Sequence, residues 1–423
     1  MAEIQTDAVG RRAFLAAGSG LILACARRSE GVAPGASSSD ADGAPSNAPY
    51  AVPVPLVTVD AQAQRGAPST YALFDAFPGL RTSLPRTELG QFPSPIDAAK
   101  TLLAEGRLWI KRDDDFTRSA SWQSTFELAR AYGGGKIRKL DLYFGEARAQ
   151  GKRRIVTFGG VGSNQALAVA LLGNALGFSV RLYLAPQPPS SLTAKNLAAD
   201  AASHAEMRLF DGVAQAQAEA ERESKQSGDT YIIPPGGTTP LGTLGFVNAG
   251  LELAEDVRAG RMPAPRRIYV ALGLGGSASG LGIGCAASGL RTEIVAVRTS
   301  NPTTVSESRL RAIHDETIAF LRARDPSFPV VKFEDANVRI DGRFVGLGYG
   351  FPTTAGNDAV ARARTTEGWE LDPVYTGKAL AALLADASAG SPGPMLFWNT
   401  ASSRPVVEAP VPAAFQRYLR SSL

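Results

Sequence analysis

From position 108 onward the chain alternates two hydrophobic patterns. Short runs rich in aliphatic, aromatic and β-branched residues read as strands: LWIKRD (108–113), RIVTFGG (154–160), SVRLYLA (179–185), EMRLF (206–210), TYIIPPGG (230–237), RIYVALG (267–273), EIVAVRTS (293–300) and PMLFWNT (394–400). Between them the apolar positions recur at helical spacing. Ile137, Leu140, Phe144 and Ala147 form one such stripe, and 164–176, 194–205, 214–225 and 241–258 form others. Strands that alternate with helices predict an α/β chain whose parallel sheets are covered on both faces. No repeat of fixed period is visible.

The N-terminal part follows a different pattern. Arg11 and Arg12 precede an apolar run ending at Leu23-Ala24-Cys25, which is too short to span a bilayer as a helix. A charged start and a short apolar middle before a small residue describe an export signal over 1–25. The paired arginines resemble a twin-arginine signal, and LILAC resembles a lipobox with Cys25 as the lipidated residue. Residues 26–68 are rich in Ala, Ser, Gly, Pro and Asp, a composition that cannot bury enough surface to order itself. They read as a disordered tether.

Composition narrows the chemistry. The 423 residues suffice for one large or two medium domains, and 44% hydrophobic with 20% charged residues is ordinary for a globular protein. A net charge of +4 is too weak and dispersed to indicate nucleic acid. Cys25 and Cys285 give neither a metal cluster nor a disulfide framework, and Cys285 reads as a buried free thiol. His204 and His314 match no zinc signature and read as surface residues of polar helical stretches, so no metal site is expected. No GxSxG elbow is present. Only nine lysines compete for a chemical role.

In parallel α/β sheets ligands gather at the carboxyl ends of the strands. Three glycine-bearing loops fall at such places. The first, Gly133-Gly134-Gly135, runs directly into Lys136 and a helical stripe. Glycines admit a flat ligand, and a helix start disfavours an ammonium, so the lysine pKa is expected to be low. A neutral amine is what Schiff-base formation requires. The second, Gly273-Leu274-Gly275-Gly276-Ser277, stands between a strand and a helix, where backbone N–H groups suit a phosphate. Gly273-x-Gly275-x-x-Ala278 also fits a relaxed dinucleotide fingerprint, but the next strand ends Val297-Arg298-Thr299 without the acid that fingerprint needs. The third places Ser163 and Asn164 at a helix start. A helix cap is the simpler reading there; contact with a ring hydroxyl and a substrate is the functional one. A phosphate loop with a depressed lysine points to pyridoxal 5'-phosphate.

The segments LWIKRDDD, GGGKIRKL, GGVGSNQ, IIPPGGTTPLGTLGFVNAGLELA, VALGLGGSASGL, FVGLGYGFPT and LDPVYTGKALAALL occur in the order seen in the D-cysteine desulfhydrase and 1-aminocyclopropane-1-carboxylate deaminase family, and the chain resembles that family over about 78–400. The resemblance implies two open parallel-sheet domains of the type II pyridoxal phosphate (tryptophan synthase β-like) fold. The large domain would comprise 69–138 with 241–423, and the small one 139–240. It implies Lys136 as Schiff-base lysine and α-proton base, Asn164 on the ring hydroxyl, and Ser163 on the substrate. Gly273, Leu274, Gly275, Gly276 and Ser277 would hold the phosphate, Tyr349 and Tyr375 would face substrate and ring, and Thr400 would meet the pyridine nitrogen. It also implies a homodimer. Where the deaminase branch carries glutamate this chain has Thr376, which favours the desulfhydrase branch.

The chain departs from the family pattern at Gln165 (usually histidine), Gly135 (usually asparagine) and Asn399-Thr400-Ala401-Ser402 (usually HTGG-like). It also has an extra segment before Gly133. The expected activity is that of an exported lyase acting on a small amino acid, most like D-cysteine desulfhydrase, giving pyruvate, ammonia and sulfide. The alternatives are the deaminase, a cofactor-retaining binding lipoprotein, and a dinucleotide reductase. No nucleic acid is expected as partner, and a membrane only through Cys25.

Overall fold

A computed structural model describes residues 71–104, 106–116 and 132–419. The export signal, Cys25, the tether and nearly all of the extra segment before Gly133 lie outside the described residues. In chain order the elements are α1 (Ala72–Ala76), β1 (Ile96–Ala98), β2 (Leu108–Arg112), α2 (Lys136–Ala149), β3 (Arg154–Gly160), α3 (Asn164–Ala175), β4 (Ser179–Ala185), α4 (Ser191–Ala202), β5 (Glu206–Leu209), α5 (Val213–Ser227), β6 (Thr230–Ile233) and α6 (Pro240–Arg258). They continue as β7 (Arg267–Leu272), α7 (Gly276–Ala287), β8 (Glu293–Arg298), α8 (Glu307–Arg324), β9 (Val338–Asp341), α9 (Thr354–Glu367), α10 (Thr376–Ser388) and β10 (Met395–Asn399).

These strands form two sheets. The larger has the order β1-β2-β10-β7-β8-β9, parallel except for the edge strand β1. The smaller, β5-β4-β3-β6, is wholly parallel. Successive side chains of a strand point to opposite faces, and β10 shows it. Met395 and Phe397 join a core with Leu380 and Leu383 of α10, while Leu396 and Trp398 join another with Phe246 of α6 and Leu281 of α7. The small sheet does the same: Ile155 and Leu182 pack towards α2 and α3, whereas Val156 and Tyr183 pack towards Ala216 and Ala220 of α5. Cys285 is buried beneath β7, and burial pushes its thiol up to about 12, so it is inert.

Two expectations need correction. His314 is not a surface residue: it is buried, Nε2 lies 2.9 Å from the Val331 carbonyl, and the ring packs edge-on against Phe333. It shares a buried stripe of α8 with Leu310, Ile313 and Thr317. The helix expected over 194–205 sits three residues earlier. Ser190 caps it by accepting the N–H of Thr193, and His204, at φ +62°, lies beyond its end.

Candidate active site

Gly133 and Gly134, before Lys136, are glycines because other backbone passes there. Gly134 sits at φ +90°, and a Cβ on it would lie 2.7 Å from the carbonyl oxygens of Thr400 and Ala401. A Cβ on Gly135 would lie 3.0 Å from both Phe246 Cζ and Thr400 Cγ2, so the asparagine usual in the family would press on both. Gly133 N–H donates to Ser402 Oγ, Gly134 N–H to the Asp113 carbonyl and Gly135 N–H to the Thr400 carbonyl. The departures at 399–402 are thus bonded into this loop. Asn399 Oδ1 accepts from Ala401 N–H, and its Nδ2 donates to the Glu370 carbonyl.

Two residues on, Arg138 is fully buried in a box of acids. Its Nε and Nη2 donate to Asp113 at 2.9 and 2.7 Å, and its Nη1 to Glu252 at 2.8 Å. Lys111 pairs with Glu252 (2.8 Å) and Asp256 (2.6 Å), and Trp398 Nε1 donates to Asp113. Burial opposes ionisation of Glu252, but Arg138 and Lys111 pull its pKa down to about 2. This box fixes the start of α2.

Lys136 and Lys139 instead line a cleft that opens to solvent. Loss of solvent lowers the Lys136 pKa to about 8, with Asp372 opposing the shift. Burial thus adds to the helix start that the sequence pointed to, since Lys136 is the first residue of α2. Lys139 is pushed well below the lysine range by burial and then by Lys136. Its Nζ donates to the Gly236 carbonyl at 3.3 Å.

The cleft also takes in Ser163, Asn164, Gly273, Leu274, Gly275, Gly276, Ser277, Tyr349, Tyr375 and Thr400, so every expected site residue borders one space. At one end Gly275, at φ +100°, turns the chain from β7 into α7. Around the point a Cβ on Gly276 would occupy stand Lys139 Nζ at 3.2 Å and Thr243 Oγ1 at 3.1 Å. Thr243 is fully buried, and its hydroxyl lacks a partner among the described residues. An amine, an orphaned hydroxyl and the free N–H groups of a helix start fit a phosphate group. A dinucleotide fits poorly: Thr299 Oγ1 and Ser300 Oγ at the end of β8 bond back to the Leu272 and Gly273 carbonyls.

Ser163 is the cap of α3, its hydroxyl accepting from Ala166 N–H at 3.2 Å. Asn164 Oδ1 accepts from Asn196 Nδ2 at 2.8 Å. Gln165 is 3% exposed, borders the cleft, and has no partner for either amide atom among the described residues. Opposite, the Tyr375 hydroxyl donates to that of Tyr349 at 2.9 Å, and burial raises the Tyr375 pKa well above its usual value, so it carries its proton. Asp372 borders the cleft and accepts N–H groups from Val374 and Tyr375, while burial raises its pKa. Thr376 is buried and spends its hydroxyl on Asp372 at 2.9 Å.

Reasoning from sequence missed Lys139, Asn196, Thr243 and Asp372. Lys139 carried a usable signal, since it lies one helical turn after Lys136. Asn196 carried none, being 32 residues from its partner. Among the described residues no group of His, Cys, Asp and Glu is arranged to hold a metal, and no helix is long and apolar enough to cross a membrane.

Comparison with known proteins agrees with this geometry. The family described as pyridoxal-phosphate dependent enzyme matches residues 126–401. Nocardicin C-9' epimerase of Nocardia uniformis subsp. tsuyamanensis is 31% identical over 349 residues, covering 80% of this chain and 99% of its own. D-cysteine desulfhydrase of Salmonella paratyphi C (strain RKS4594) is 31% identical over 337 residues, covering 75% and 94%. Among solved structures, an ACC deaminase homologue matches with TM-score 0.62 and 27% identity over 80% of this chain and 96% of its own. A threonine deaminase (T.th.) shares the fold at TM-score 0.51 and 18% identity, over 81% of this chain and 100% of its own.

Proposed function

Since the chain belongs to the pyridoxal-phosphate dependent enzymes and is of the D-cysteine desulfhydrase and ACC deaminase type, we propose that it eliminates the β-substituent of a small amino acid, most like D-cysteine, releasing pyruvate, ammonia and sulfide. Pyridoxal 5'-phosphate, when bound, supplies an aldehyde for attachment and a sink for the electrons left at the substrate α-carbon. The chain does the rest. Lys136 would hold the cofactor through its amine, and its Nζ is the group placed to take the α-proton. The loop Gly273–Ser277 would hold the phosphate together with Lys139 and the orphaned hydroxyl of Thr243 beside Gly276. Asn164 would donate to the ring oxygen, Thr400 would offer a hydroxyl to the ring nitrogen, and Ser163 would bind the substrate. Tyr349 and Tyr375, the latter keeping its proton, would face the leaving group.

The observation that carries the reading is Lys136: an amine with pKa about 8 at a glycine-cleared approach, bordering the same cleft as the phosphate-type loop. The desulfhydrase branch is supported by Thr376, a neutral side chain committed to Asp372 where the deaminase branch has a carboxylate. The test is incubation of cofactor-loaded protein with D-cysteine. Sulfide and pyruvate in equal amounts are expected; loaded protein that yields neither supports a binding lipoprotein.

A second reading, epimerisation at the α-carbon, is favoured by the similarity to nocardicin C-9' epimerase and by two proton carriers, an amine and a phenol pair, in one cleft. Deuterium uptake at the α-carbon with inversion and no sulfide selects it. Export with a lipid anchor at Cys25 and assembly as a homodimer belong to the same proposal. They are supported by Arg11-Arg12, by LILAC and by the resemblance. The mass of the mature N-terminus and the mass in solution test them.

A further inference from the structure

We propose that Asn196 is a positioning residue: it fixes which way the Asn164 side-chain amide faces, so that Asn164 offers N–H donors rather than its oxygen to the ligand in the cleft. Asn196 lies within α4, is 2% exposed, and does not border the cleft. Its Nδ2 makes two bonds, to the Gly162 carbonyl at 2.9 Å and to Asn164 Oδ1 at 2.8 Å. A backbone carbonyl can only accept, so the first bond leaves Asn196 one orientation. Its second N–H then meets Asn164, and only an acceptor satisfies it. Asn164 Oδ1 is thereby held away, and the free corner of the amide is Nδ2.

The surroundings are held as well. Gly162 N–H donates to Gln187 Oε1, and Gln187 Nε2 donates to Thr193 on α4, one turn before Asn196. Tyr132 donates to the Asn164 carbonyl at 3.3 Å. A turned Asn164 would set a lone pair against the ring oxygen of pyridoxal phosphate, acceptor against acceptor. As placed, it would favour an ionised ring oxygen, a state the chromophore would report.

The inference rests on the pyridoxal phosphate reading of the cleft. Its test uses the full chain with Asn196→Asp and Asn196→Ala, each made alone and with Asn164→Ala. The aspartate is nearly isosteric but accepts where asparagine donates, so it turns the Asn164 amide round. The readouts are pyridoxal 5'-phosphate affinity and the absorbance maximum of the bound cofactor, with the melting temperature of each apo variant as a folding check. Asn196→Asp is expected to weaken affinity on the order of tenfold and shift the maximum. Asn196→Ala is expected to do less, because water can replace the lost donor. Both effects should vanish once Asn164 is alanine. Equal losses in both backgrounds, or no loss in the native one, overturn the proposal. If the aspartate variant does not fold, the alanine pair decides alone. A native chain that does not take up the cofactor through Lys136 overturns the cofactor reading and this proposal together, whereas normal loading with unaffected Asn196 variants overturns this proposal only.

Discussion

Helix α2 carries three cations in its first turn, and its two faces treat them in opposite ways. Arg138 is walled in by Asp113 and Glu252 and keeps its charge. Lys136 and Lys139 border the cleft, make no ion pair with a carboxylate among the described residues, and are driven towards neutrality. Where two acids clasp the arginine, Asp372 is the one described acid that acts on Lys136, and its own pKa is raised by burial. Burial alone therefore does not decide the state of a cation; its partners do. The paired face supplies rigidity, and the unpaired face supplies a reactive amine held at a fixed place by the first.

The largest effect expected from breaking this contrast is on Lys136. Lys136→Ala should abolish the covalently bound chromophore and cut elimination by at least about a thousandfold, with no loss of apo stability. Removing the paired cation should do the reverse. Arg138→Met leaves Asp113 without a cation and Glu252 with Lys111 alone, and should cost about 3–5 kcal/mol in urea unfolding. A smaller, graded effect comes from pH. With the Lys136 pKa near 8, the free amine grows from about a tenth at pH 7 to about half at pH 8. Cofactor attachment should therefore speed up about fivefold across that interval and level off above pH 9. The acid box has the opposite sign. The Glu252 pKa is lowered, so its contribution is complete above its ordinary value near 4.5 and drains as pH falls towards 2. Smallest is Gln165→Leu. Its amide lacks partners among the described residues, so apo stability should stay within about 1 kcal/mol of native or rise. A fall in cofactor or substrate affinity in the same variant would show that the amide waits for a ligand.

The sequence displays the contrast unevenly. The glycines before Lys136 and the loop at Gly273–Ser277 are local features, and their backbone demands can be read from a few residues. The strands could be read because buried parallel strands are short, continuous and apolar. His314 was misjudged because α8 is polar overall, although Leu310, Ile313 and Thr317 mark the buried stripe it belongs to. Arg138 and Lys139 stand side by side in the same motif, and nothing local says which meets acids and which meets the cleft. That depends on Asp113, Glu252, Gly236 and Thr243, brought in by β2, the turn after β6, and α6. Asn196 is invisible in the same way, since its meaning lies wholly in the orientation it gives a residue on another helix.

The most direct test of the account is borohydride reduction of the cofactor-loaded chain at a series of pH values, followed by mass mapping of the nine lysines. The account predicts a single modified residue, Lys136, and an attachment rate that is half-maximal near pH 8. Modification at Lys139 instead, or a yellow, reducible adduct that survives Lys136→Ala, would contradict it.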